Sequence, residues 1–240
     1  MKRFLLFILL LLIIIVIVMA YLGFIPVLSE MMGSTKPRDL GVHPAPADLV
    51  SAQAKLKGVR FEYPLAASVQ KHPTTASGSV DLNIVLTAEE ITALIQSGKY
   101  RTWPFRGVQV RINPDGSAEA AGMLILSKVG AYAQVAGADA GMVLDALNSW
   151  KIMQDVPFYV AGKGSVTNGK VTLDVQKAEL GRLAAPEALI ASNKPQVIAF
   201  LERGIANAQG VRIKSLRVDS GKVVFNGSLP NYSPHWQGQP

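Results

Sequence analysis

The stretch Gly164-Ser165-Val166-Thr167-Asn168-Gly169-Lys170-Val171, GSVTNGKV, decides the fold because it can be read in two ways. It nearly matches the phosphate-cradling pattern G-x-x-x-x-G-K-[ST]. That pattern needs a strand before it, a helix after it whose first N–H groups face the phosphates, and a closing hydroxyl for Mg²⁺. The closing residue here is Val171, and the following KVTLDVQ alternates Val171, Leu173 and Val175 with Thr172, Asp174 and Gln176. A period of two is that of a half-buried strand. Val156, Phe158 and Val160 alternate ahead of it in the same way. Asn-Gly tolerates the positive φ angles of a type I′ turn, so the stretch is a hairpin joining 156–166 to 170–180.

Similar signals extend in both directions. Val80, Leu82, Ile84 and Leu86 alternate as a strand. Thr87 and Glu90 then form a capping box ahead of Ile91, Leu94 and Ile95 at helical spacing, with Gly98 as the stop. Asn113-Pro114-Asp115-Gly116 turns a hairpin of 107–112 with 117–126, whose apolar run Met123 to Leu126 suits a strand covered on both faces. Between 130 and 153, Val143, Leu144, Leu147 and Trp150 fit a helix and the Gly/Ala-rich run before them fits a loop. Pro195 opens a second helix bearing Val197, Ile198, Leu201 and Ile205, closed near Gly210. A last hairpin, 211–218 with 222–229, turns at Asp219-Ser220-Gly221. The expected fold class is α+β, with antiparallel hairpins forming one curved sheet packed on two or three helices. A weak internal echo sets Gly116, Gly122 and Leu124 over Gly221, Gly227 and Leu229.

Lys2 and Arg3 precede an uncharged apolar run from Phe4 to Ile25. A membrane helix needs about 20 such residues, whereas a signal-peptide core needs about 7–15. Residues 1–25 are therefore expected to be a transmembrane signal anchor. The positive charges in front place the N-terminus in the cytoplasm and the rest outside it, as a single-pass protein of the cell membrane. Residues 26–60, broken by Pro37, Pro44 and Pro46, read as an extracytoplasmic linker, 61–230 as the domain and 231–240 as a flexible tail. The chain has no cysteine, which removes disulfides, thiolate metal sites and thiol nucleophiles. Its net charge of +7 is spread without a block of like charges, a pattern that suits anionic lipid headgroups or wall polymers better than nucleic acid.

The search for chemistry is largely negative. His43, His72 and His235 are isolated and make no metal motif, and no G-x-S-x-G elbow occurs. Glu89 and Glu90 are adjacent, but the helix N-terminus accounts for both. Asp81, Asp115, Asp145, Asp155, Asp174 and Asp219 are scattered singly. No catalytic residue, metal site or cofactor is expected, and the chain is not expected to be an enzyme. What the sequence does carry is apolar area on both element types. If sheet and helix do not close fully on each other, an apolar groove suited to an acyl chain remains.

The order of the span, LTAEEITALI (residues 86–95), VQVRINPDGSAEAAG (108–122), VPFYVAGKGSVTNGKVTLDVQKAELG (156–181) and VRIKSLRVDSGKVVFNGSLP (211–230) resembles two groups of bacterial proteins. These are membrane-anchored proteins of the YpmS-like kind and the LmeA-type phospholipid-binding proteins, whose fold is akin to the tubular lipid-binding (TULIP) architecture of a curved sheet around a long helix. The resemblance implies an extracytoplasmic domain binding a phospholipid or another lipid-linked envelope molecule without catalysis. The sequence departs from it in offering two modest helices in place of one long one. The groove residues are expected to be Leu124, Phe158, Val160, Leu173, Ile198 and Leu201, with Trp103 and Phe105 forming a portal loop. Two alternatives stand beside this: an envelope scaffold binding a protein or wall polymer, and a hydrolase assembled from residues distant in sequence.

Overall fold

The computed structural model describes residues 12–18, 35–62, 77–97, 103–135, 141 and 155–234. Among them no helix is long and apolar enough to cross a membrane. Residues 12–18 of the expected span are helical, and the rest of that span lies outside the described residues. So do most of 130–153, Gly98, His72 and His235.

The described part is an α+β domain with an open antiparallel sheet. Its elements run α1 Pro46–Lys55, β1 Arg60–Glu62, β2 Val80–Leu86, α2 Ala88–Ser97, β3 Phe105–Ile112, β4 Ala118–Leu124 and α3 Leu126–Val135. They continue with β5 Val156–Thr167, β6 Lys170–Leu180, β7 Leu183–Ala184, α4 Glu187–Asn207, β8 Arg212–Asp219, β9 Lys222–Leu229 and β10 Tyr232–Pro234. The β5–β6 hairpin forms as the alternation requires, with Asn168 at φ 50° and Gly169 at φ 76°.

β5 organises the sheet because it is longer than each of the three strands that pair with it. Along one edge it pairs with β6. On the other edge it pairs with β4 at Val156–Gly162 and with β8 at Ser165–Thr167. The sheet therefore forks into two wings, β4–β3 and β8–β9–β2. Each hairpin carries a register shift beside a glycine. Gly107 and Val108 together oppose Gly122, Gln176 is the extra residue facing Gly162, and Lys214 is the extra residue beside Gly227. Bulges bend the bulged strand and increase its twist, and glycine accommodates the close backbone approach. A Cβ at Gly162 would lie 2.2 Å from the Asp174 carbonyl oxygen, and one at Gly227 would lie 2.0 Å from that of Arg212. The two units of the internal echo, helix plus hairpin, share this device at Gly122 and Gly227.

The wings are bridged by α2. The Thr87–Glu90 capping box is present, with Glu90 N donating to Thr87 Oγ1 at 3.2 Å and Thr87 N donating to Glu90 Oε2 at 2.9 Å. α2 runs along the outer edge of β3, where Thr92 Oγ1 accepts from Val110 N at 3.0 Å and Gln96 Nε2 donates to the Val108 carbonyl at 2.8 Å. These bonds satisfy groups that an open edge would leave unpaired.

The core lies where Ala52 of α1 and Leu56 just after it meet Leu82, Ile84 and Leu86 of β2, with Ile91, Leu94 and Phe225 packed around them. Glu90 does more than cap α2. It is buried, takes an ion pair from Lys55 Nζ at 2.6 Å and accepts a hydrogen bond from Ser51 Oγ at 2.6 Å. Burial alone would raise its carboxyl, but the bonds from Lys55, Ser51 and Thr87 outweigh burial and hold it below the usual carboxylate range.

Three expectations give way here. The stretch read as a linker is packed from residue 35 onward: its prolines block strands but do not prevent side chains from docking. Leu40 and Val42 are buried, and Arg38 clamps Glu179 at 2.6 and 2.8 Å. The tail read as flexible includes β10, which pairs in parallel with β1. Of the two modest helices, the first stands as α2, and the second is corrected by α4, a single helix of 21 residues with Pro195 inside it. Proline there removes the N–H that would bond the Ala191 carbonyl, and Ala191 is exposed, so water can satisfy that carbonyl.

Candidate functional site

The register assigns the side chains to two faces. The inner face carries Phe105, Gly122 and Leu124 of the first wing, Phe158, Val160, Gly162 and Gly164 of β5, and Val171, Leu173 and Val175 of β6. The outer face carries Glu119, Tyr159 and Glu179, beneath the segment 35–45.

The outer face holds the two buried carboxylates that a hydrolase would need examined. Glu119 takes hydrogen bonds from Arg111, from Asn113 Nδ2 at 2.9 Å and from the Tyr159 hydroxyl at 2.8 Å. Burial works to raise its carboxyl, but these bonds prevail and keep it low. Glu179 takes Arg38 and Lys177, and the Arg38 guanidinium lies 4.4 Å from the centre of the Tyr159 ring. Both carboxylates are saturated by donors, and this network clamps residues 35–45 to the sheet. Among the described residues no group of three His, Asp or Glu could hold a metal ion, and His43 is exposed beside Asp39.

On the inner face the open feature is the space between α4 and the strands. Ala185 N donates to the Ala178 carbonyl at 2.8 Å, and Glu202 accepts from Val171 N at 3.0 Å and from Lys170 Nζ at 3.0 Å. Between those ties, 15 helical residues rise about 22 Å and seven strand residues span about 24 Å, so helix and strand run side by side. The helix lies on the inner side, because Val171, Leu173 and Val175 are half-buried while Thr172, Asp174 and Gln176 are exposed. α4 has no buried residue at all. Ile190, Ile198 and Ile205 are half-buried, whereas Leu189, Val197 and Leu201 remain 37 to 42 % exposed. A long apolar stripe thus faces a half-covered apolar floor, and at Gly162 and Gly164 the floor has no side chain.

The expected residues fall around this trough. Leu124, Phe158, Val160 and Leu173 share the inner face and are half-buried, while Ile198 and Leu201 lie on α4. Phe158 joins them to the portal residues, with its ring 5.3 Å from that of Phe105 in an edge-to-face contact. Trp103 stands 5.1 Å from Phe105 and 5.6 Å from Tyr132 of α3, so the aromatics close one end as a cluster. Trp103 and Phe105 are half-buried, on either side of the fully buried Pro104. Tyr132 was hidden in the ambiguous stretch, and its hydroxyl is pushed up by burial. The apolar run 123–126 divides here. β4 ends at Leu124, Ile125 N donates to the Pro104 carbonyl at 2.7 Å, and Asp155 Oδ1 accepts from Leu126 N to start α3. Beside the cluster, a cleft of about 420 Å³ is lined by Gln96, Trp103, Phe105, Arg106 and Lys128, among others.

The fold is thus an α+β domain in which a long helix is laid along an edge strand whose apolar side chains are only half-covered. A family model described as LmeA-like phospholipid-binding matches residues 36–228, and the chain belongs to that family. The match begins at the clamped segment and ends in β9. No match to the chain was found among curated proteins, and none among solved structures.

Proposed function

We propose that this protein is tethered to the cell membrane by residues 1–25, with its domain outside the cytoplasm, and that it holds a phospholipid by laying an acyl chain in the trough between α4 and the inner face. It performs no chemistry on that lipid. The observation that carries the reading is α4 itself, 21 residues long with no buried side chain and an apolar stripe facing an apolar floor. The size fits. One leaflet is about half of the ~30 Å hydrocarbon core, so a chain reaches ~15 Å, or four to five strand residues. Phe158 to Val166 gives nine residues of floor. Family membership supports the ligand class, and the apolar run with Lys2 and Arg3 ahead of it supports the address.

The test is a phospholipid carrying a photoactivatable group along one acyl chain, incubated with membranes containing the full-length protein. Cross-links should map to α4 and to β5 or β6, around Leu173, Ile198 and Leu201. Labelling confined to residues 1–25 would contradict the trough. The address has its own test, because the chain contains no cysteine. Ser220→Cys in the exposed β8–β9 turn should react with a membrane-impermeant maleimide on intact cells. Protection until the cells are lysed would contradict an extracytoplasmic domain.

A further inference from the structure

We infer that the cleft beside the aromatic cluster is a phosphate site, in which Arg106 and Lys128 hold the phosphodiester of a lipid headgroup. This rests on the trough reading and extends it from the acyl chain to the polar end. Arg106 and Lys128 come from different elements, β3 and α3, and line the same cleft. Among the described residues neither side chain has a hydrogen-bond or ion-pair partner, whereas Arg38, Lys55, Arg111, Lys163, Lys170 and Lys177 all reach carboxylates. Among the described residues no carboxylate lines the cleft to compete for them. The backbone around both cations is fixed. The bulge at Gly107, with φ 60°, follows Arg106, and the bond from Ile125 N to the Pro104 carbonyl ties the start of α3 to the base of β3. Phe105 lines the cleft and also touches Phe158 on the trough floor, so the two sites adjoin through one ring. An amphipathic ligand needs this adjacency: apolar space for the chain and, next to it, unneutralised cations for the phosphate.

The test compares two lipids with the same acyl chains, phosphatidylglycerol and diacylglycerol, each offered in detergent micelles to the full-length protein and counted by native mass spectrometry. The wild type should favour phosphatidylglycerol by roughly tenfold or more, the scale of a charge-assisted contact. In Arg106→Gln/Lys128→Gln that preference should collapse while diacylglycerol binding stays unchanged, and Arg106→Lys should retain most of it. Excess inorganic phosphate should compete only weakly. Competition as strong as that of the phospholipid would move the source to a free anion and overturn the headgroup assignment. Equal binding of both lipids by wild type and double variant would overturn the phosphate site and leave the trough standing. Failure of the wild type to take up either lipid would remove the trough reading itself, and the inference with it.

Discussion

Replacing Gly164 by phenylalanine should empty the trough without unfolding the sheet. Gly164 lies on the inner face of β5, and a Cβ built there meets only the Thr172 carbonyl oxygen at 3.6 Å and Leu173 Cδ1 at 3.7 Å, both ordinary contacts. Its backbone is not in the positive-φ region. A glycine inside a strand costs about 0.5–1 kcal/mol relative to alanine, so a β-forming residue should leave stability level or slightly higher. The ring, by contrast, brings roughly 150–250 Å² of surface into the space the acyl chain would fill. At about 0.8 kcal/mol per buried methylene, displacing four of them costs about 3 kcal/mol, a little over a hundredfold in Kd. The assay is displacement of a tail-labelled fluorescent phospholipid from the full-length protein, with thermal melting alongside and Gly164→Ala as the conservative control. An unchanged melt with undiminished phospholipid affinity in Gly164→Phe would refute an acyl chain lying over β5 and β6.

Other outcomes follow from the packing. Gly227→Ala puts a Cβ 2.0 Å from the Arg212 carbonyl and should lower stability by about 1–3 kcal/mol in urea unfolding, because the bulge must move. Glu90→Ala removes a cap together with the partner of Lys55 and Ser51; since Lys55 is partly exposed, the loss should be about 1–3 kcal/mol, read as a lower denaturation midpoint at constant m-value. The carboxyls of Glu90 and Glu119 are both depressed in the folded state, so their stabilisation is complete above the ordinary glutamate value of about 4.3 and is lost as pH falls through and below it. Glu119→Gln should therefore flatten the acid limb of a melting-temperature-against-pH curve, and an unaltered limb would count against this network. Tyr132→Leu should loosen the aromatic end of the trough and lower phospholipid affinity several-fold while the β5–β6 hairpin stays protected in hydrogen exchange.

Legibility in the sequence followed the range of the interactions. Asn168-Gly169 and Ser220-Gly221 encode their turns in two residues, and their positive φ angles are the local requirement that gave both hairpins away. The Thr87–Glu90 box is equally local. Pro195 misled because proline suits a first turn, and only the exposure of the α4 surface makes it tolerable within the helix. The clamp on 35–45 joins Arg38 to Glu179 across most of the domain, a pairing that no short-range pattern contains. At the site, period two placed Phe158, Val160 and Leu173 on one face, and helical spacing placed Ile198 and Leu201 together. Tyr132, Arg106 and Lys128 escaped notice because what unites them is the docking of α3 on the base of β3. The buried Pro104 between two aromatics was the one local hint of that docking.

The most direct test of the account is to purify the full-length protein from membranes in mild detergent, record its native mass and extract whatever is bound with organic solvent. The account predicts one phospholipid per chain, which Gly164→Phe does not retain. An unliganded mass that stays unchanged after incubation with phospholipid vesicles would contradict it.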